Sequence, residues 1–387
     1  MKEVRAWWLV VATVGCGRFG FDARAGGVTG VDAAPPPPCA NLGFSTAQVY
    51  PGGLQPRAIA VGDLDGDGVL DVVGTDANGN ATFVYYGNGD GTFTPGPAAE
   101  VGTAPYSIAI GDLDGDGKAD VVVGNYTDNA ISIDLSTGRS FQHQVTYTTA
   151  TSPQSIAIGD VDGDGLPDLV ISAIGSNAID IFHNKGGGQF SSLATLPTNT
   201  GPYQTAIGDI DGDGRPDLVA ADTSGFASVL RGHADGTFDA HVDLGAGSQP
   251  WSVALGDVDG DGRPDAAIAD NYGQSTISVL HGAYPSWQRT VVPVGFQVWW
   301  VEIVDMDGDG KRDVVVTEKR DAIMGGSDAL DLVLGNGDGT FRPVQRFAAC
   351  GGPEELAIGD FNGDGRPDVA LACSTSSQIG ILLATCP

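Results

Sequence analysis

The chain has 387 residues, 49 of them acidic against 19 basic, and a formal net charge of −30. With no basic patch to neutralise phosphates, nucleic acid is excluded as a partner. The length alone would suggest two or three domains, but a repeat of about 48 residues from near residue 40 to the end makes one long repeat domain.

Residues 1–16 read as an export signal. Lys2 and Arg5 give a positive start, and Trp7 to Val14 form an apolar run too short to span a bilayer. Thr13-Val14-Gly15-Cys16 resembles a bacterial lipobox, with Thr13 where Leu is usual, so Cys16 is the expected lipidation site; ordinary signal-peptidase cleavage is the competing reading. Gly17 rather than Asp after the cysteine implies the outer membrane or cell surface as destination. Residues 17–40 are Gly-, Ala- and Pro-rich and end in Pro35-Pro36-Pro37-Pro38, a tether that cannot build a core.

From residue 41 to 387 one grammar recurs. An alternating strand such as Tyr106-Ser107-Ile108-Ala109-Ile110 leads into an Asp-rich loop. A more continuously apolar strand such as Asp168-Leu169-Val170-Ile171 leaves it, and two further strands follow around a Gly-rich hairpin. Four strands per repeat and seven repeats predict an all-β, seven-bladed β-propeller. The last unit stops after its third strand, and residues 43–50 match a fourth strand, so the N-terminal strand is expected to complete the last blade. That topology puts Cys39 and Cys386 at the missing hairpin and leaves Cys350 to pair with Cys373.

The Asp loop is a nine-residue unit. Its copies hold Asp63, Asp65, Asp67 and Asp71; Asp112, Asp114, Asp116 and Asp120; Asp160, Asp162, Asp164 and Asp168; Asp209, Asp211, Asp213 and Asp217; Asp257, Asp259, Asp261 and Asp265; Asp305, Asp307, Asp309 and Asp313; and Asp360, Asn362, Asp364 and Asp368. Six loops carry four Asp each and the seventh three, together 27 of the 49 acidic residues. Acids at alternate positions of a tight loop, with Gly always at position 6, converge as an all-oxygen site that suits Ca²⁺ over zinc, copper or magnesium. An EF-hand would need Glu at position 12, where these copies have Gly74, Val123, Ile171, Ala220, Ile268, Val316 and Leu371. About seven bound Ca²⁺ would bring the net charge to about −16.

The Asp-x-Asp-Gly-Asp-Gly-x-Pro-Asp loops, with Pro167, Pro216, Pro264 and Pro367 at position 8, and the Gly-Asp-Gly-Thr-Phe hairpins resemble the FG-GAP/VCBS repeats, among them the propellers of integrin α subunits. That resemblance covers about residues 41–386. It implies the propeller fold and calcium at the Asp positions; its members span adhesins, lectins, lyases and non-catalytic modules.

A ligand is expected on the face opposite the loops. Six residues before each first Asp lie Arg57, Tyr106, Gln154, Tyr203, Trp251, Trp299 and Glu354; five after each last Asp lie Asp76, Asn125, Ala173, Asp222, Asp270, Glu318 and Cys373. Tyr106, Tyr203, Trp251 and Trp299 with Asp76, Asn125, Asp222 and Asp270 form the candidate ligand site, since sugar rings need aromatic faces beside hydrogen-bond acceptors. The competing reading is that the aromatics plug the channel, and Trp300, facing away from Trp299, is expected to pack between blades. No hydrolase, zinc-protease or Walker motif occurs, and His183, His233 and His281 near third-strand ends are expected in solvent. The residue-level expectation is a monomeric, envelope-anchored module that binds a glycan or a surface protein, touching membrane only through its lipid. The alternative is a polysaccharide-cleaving lyase or glycosidase, drawing paired acids from Asp76, Asp222, Asp270 and Glu318.

Overall fold

The computed structural model describes residues 36–387 apart from 272–275, 283, 296 and 320–327. The export signal, Cys16, most of the tether and, in the sixth unit, all but Lys319 of the longer connection expected over residues 319–326 therefore lie outside the described residues.

Seven four-stranded antiparallel sheets form the blades of a propeller. In the first blade the strands are Pro56–Gly62, Asp71–Asp76, Ala81–Gly87 and Phe93–Pro95, from the channel outwards. In the third they are Pro153–Gly159, Asp168–Ala173, Ala178–Asn184 and Phe190–Pro197. Every second strand opens on the last Asp of its loop. The first two strands of each blade are buried almost throughout, while outer strands such as Phe190–Pro197 alternate, as a sheet edge facing solvent on one side must.

Apolar side chains fill the space between neighbouring blades rather than a single centre. Val73, Ile108, Val122, Ile156 and Leu169 link the first three blades, and Ile59, Val72, Ala357, Phe361 and Ile379 join the last blade to the first. Because each blade needs both neighbours to cover its faces, the ring must close. Gln48–Pro51 closes it by pairing with Gln378–Leu382, and Gly43–Phe44 adds a short ladder with Ala384–Thr385.

Cys39 is bonded to Cys386 and Cys350 to Cys373. The first bridge spans 347 residues and ties the two ends of the ring together. Just upstream, Pro36 and Pro38 lie against Gly365 and Gly308 of the Asp loops in blades seven and six. Cys39 N–H donates to the Asp307 carbonyl at 2.6 Å, so the chain enters the ring on the Asp-loop face.

Replacing both Cys39 and Cys386 by Ser should lower stability by roughly 2–5 kcal/mol, read as a lower midpoint in urea unfolding. An unchanged midpoint would mean that strand pairing alone holds the ring shut.

Candidate functional site

Each Asp loop is a self-bonded turn whose carboxylates do distinct jobs. In the first copy Asp63 accepts the N–H groups of Gly66, Asp67 and Gly68 at 2.7–3.1 Å, Asp65 accepts that of Asp67, and Asp67 accepts that of Val69. Gly66 and Gly68 have φ of +80° and +84°, a left-handed conformation that side chains resist. Asn362 in the seventh loop keeps the turn bond, its oxygen accepting from Asp364 N–H at 2.9 Å, but contributes no charge.

The last Asp of the loop is the buried anchor. One oxygen of Asp71 accepts Leu64 N–H and the other accepts Gly87 N–H at the end of the third strand, both at 2.8 Å. Asp120, Asp168, Asp217, Asp265, Asp313 and Asp368 make the same pair of bonds to their own loop and third strand. Burial, with repulsion from the loop's other carboxylates, pushes Asp71, Asp120, Asp313 and Asp368 up to about 7, and Asp168, Asp217 and Asp265 up to about 6. Oxygens of Asp63, Asp65 and Asp71 lie within 4.8 Å of one another, as do those of Asp112, Asp114 and Asp120, and of Asp209, Asp211 and Asp217. These donors are all hard oxygens, a set that can hold a hard cation.

The two counted rings have different fates. All seven residues of the first ring sit where the pairing of the first strand with the second shifts register, as between Pro105 and Ser107, Pro202 and Gln204, or Pro250 and Ser252. A bulge re-aims its side chain, and here it delivers Tyr106, Tyr203, Trp251 and their equivalents to the channel mouth. There they touch in succession. Arg57 lies over the Tyr106 ring at 4.0 Å and donates to Tyr203 Oη at 2.9 Å; Tyr203 stacks on Trp251 at 4.9 Å, and Trp251 meets Trp299 edge-on at 4.4 Å. Lys319 closes the circuit, 4.5 Å over Trp299 and 2.6 Å from Glu354, which also faces Arg57 at 3.5 Å. Tyr106, Tyr203, Trp251 and Trp299 remain half-buried, and Trp300 is buried between blades with its indole N–H on Glu302. Burial opposes the Arg57 charge, but Tyr203 and Glu354 outweigh it and its pKa is raised; burial also raises Tyr203, although Arg57 pulls the other way.

The second ring does not line this opening. Asp76 accepts N–H groups of Leu54, Gln55 and Gly79; Asn125 bonds Gly102 and Ser132; Asp222 accepts from Ser228, and Asp270 from Thr276 and Ser278. All four are buried. A short polar side chain at a strand end finds nearer donors in its own blade's turns than any ligand offers. Glu318 is likewise held by Arg346 at 2.7 Å, and Cys373 is in its disulfide. Two histidines also differ from expectation: the side chains of His183 and His281 are only 13% and 17% exposed, because third-strand ends sit over the Asp loops. The recurring Pro56, Pro105, Pro153, Pro202, Pro250 and Pro353 just before the bulged residues was the sequence signal for that re-aimed ring.

A family model described as an FG-GAP-like repeat matches residues 63–123, 112–171, 170–220, 209–268, 260–316 and 317–371. Among curated proteins none matches the chain. Of solved structures, BBS1N crystallised in complex with ARL6DN and soaked with mercury is similar at 13% identity and a TM-score of 0.60, covering 90% of this chain and 96% of that one. A functionally unknown protein from Desulfotomaculum acetoxidans DSM 771 is similar at 13% identity and a TM-score of 0.56, covering 80% and 94%. At such identities the likeness is one of fold.

The raised anchor carboxyls give the metal-free protein a definite pH dependence. A carboxyl raised on folding stabilises the fold fully below about pH 4, where its unfolded form is also protonated, and that contribution is lost as pH rises through the folded values of about 6 and 7. Protein stripped of divalent ions should therefore melt at progressively lower temperature from about pH 4 to about pH 7. A melting temperature that climbs across that window would overturn this account of the anchors.

Proposed function

Because the chain belongs to the FG-GAP-like repeat family, we propose that it is a calcium-stabilised recognition module of the cell envelope. Its ligand, a glycan or a segment of a surface protein, would sit at the channel mouth. The observation that carries this reading is the circuit of Arg57, Tyr106, Tyr203, Trp251, Trp299, Lys319 and Glu354. It offers partly exposed aromatic surface with charged groups alongside, each fixed by its neighbour. A surface fixed in advance loses little side-chain entropy on binding.

Calcium belongs to the other face. The residues that would hold it are the loop acids from Asp63 to Asp368, with Asn362 making the seventh loop the least charged. The ion would supply positive charge that lets the clustered carboxylates stay ionised together. The chain's own part is to present them on a turn already closed by backbone N–H groups and anchored to the third strand. Anchoring to the envelope rests on the Lys2–Cys16 segment and the proline-ended tether.

Polysaccharide cleavage is the second reading, favoured by one contact, the Arg57–Tyr203 pair, since lyases draw on such side chains. Against it, burial raises the Tyr203 phenol and so disfavours the phenolate a base would need. The acids a glycosidase would pair, Asp76, Asp222, Asp270 and Glu318, are committed within their own blades.

Adding calcium to stripped protein at neutral pH should raise the melting temperature by many degrees, since each site filled at a hundred times its Kd contributes about 2.7 kcal/mol. An unchanged melt would count against calcium in the loops.

The ligand is sought by incubating the calcium-loaded domain with bacterial and plant polysaccharides, scoring both retention and new chain ends. Retention without cleavage is expected, weakened about tenfold or more, roughly 1.4 kcal/mol, by Trp251→Ala or Trp299→Ala. New chain ends would establish the lyase reading instead, and absence of both would turn the search to a protein ligand.

A further inference from the structure

One residue at or beside the end of each third strand precedes the N–H held by the anchor Asp, and in blades three, four and five it reaches an acid of its own blade's Asp loop. Around the ring these residues are Tyr86, Leu135, His183, Arg231, His281, Leu334 and Leu383. Most bring no metal-ligating atom. In blade three the residue is a histidine turned into the loop, and its donors fall together with two carboxylates: one atom each from Asp162, Asp168 and His183 lie within 4.8 Å of one another.

The details distinguish this cluster from an ordinary ion pair. His183 Nδ1 is 2.8 Å from Asp162 Oδ2 and 3.2 Å from Asp168 Oδ1. Yet that nitrogen is shut off from solvent and has no hydrogen-bond partner, so neither oxygen lies in line with it. Donors that crowd together without pointing at one another are arranged as the ligands of a common ion are. Spacings of 2.8 and 3.2 Å are those of neighbouring ligands on one dication, whether zinc at about 2.0 Å or calcium at about 2.3–2.6 Å; the imidazole nitrogen is what separates the two. The other ring nitrogen is 3.6 Å from Asp164 Oδ2, beyond hydrogen-bond reach. The equivalent His281 is a poorer match. Its Nδ1 is 3.5 Å from Asp259 alone, and its Nε2 is engaged by Thr290 Oγ1 at 2.9 Å.

We propose that the blade-three loop is a mixed nitrogen–oxygen metal site, taking a dication of the zinc or cobalt class through Asp162, Asp168 and His183. The inference rests on the reading of the Asp loops as cation sites and specialises one of them. A nitrogen donor is what shifts an oxygen site towards such ions, so one propeller would carry two kinds of metal.

The test titrates Co²⁺ into the whole domain in calcium buffer, following the visible ligand-field absorbance, with Zn²⁺ displacement by calorimetry. One tight equivalent is expected. His183→Gln should weaken it by at least about 100-fold, the upper end of what losing even an outer partner costs, with an unchanged circular dichroism spectrum. His281→Gln should leave it intact. Calcium binding without a cobalt equivalent, or cobalt binding indifferent to His183→Gln, would overturn this inference and leave the calcium reading standing. A His183-dependent cobalt equivalent in a chain that takes no calcium would do the reverse.

Discussion

The last aspartate of each loop accepts two backbone N–H groups, one from its own loop and one from the end of the third strand. Both groups would otherwise be buried donors without partners, which a folded chain avoids. Placing a carboxylate there satisfies them and fixes the angle between the first hairpin and the rest of the blade. The cost is a desolvated acid beside several others, visible in the upward shift of all seven anchors. The fold therefore builds its own demand for positive charge at seven points on one face. In the described structure basic side chains answer part of it: Arg139 reaches Asp65, Arg231 reaches Asp211 and Arg342 reaches Asp307. A partly solvated side chain offers less to a carboxylate cluster than a dehydrated dication would.

The opposite face follows a different rule. There the loop chemistry ends and a bulge in each first strand takes over, turning one residue per blade inward. Seven positions converging on a narrow opening crowd one another, so the side chains settle into stacking, edge-on and cation–π contacts instead of standing free. The mouth is consequently both a plug and a surface: its aromatics support each other below and show part of their area above.

Much of this was legible in the sequence. The Asp loops recur at nearly constant spacing, so counting them gave the number of blades. The shortfall of one strand at the end, with a spare strand at the start, gave the closure, and the same count put Tyr203, Trp251 and Trp299 together. The direction of side chains was harder to read. Asp76, Asp222 and Asp270 occupy the expected face, but position along a strand does not say which backbone donors a carboxylate will meet first. His183 looked like a surface histidine because nothing in one dimension places the end of the third strand above a loop some 20 residues earlier.

The entry of the chain has an orienting consequence. Pro36 to Cys39 run across the loops of blades six and seven before the first strand begins, so any attachment upstream pulls on that side of the disc. A lipid at Cys16 would therefore pull from the Asp-loop side and leave the aromatic mouth on the far side of the ring. Metal occupancy on one side and ligand capture on the other would be exposed to two separate environments, joined only through the rigidity of the ring.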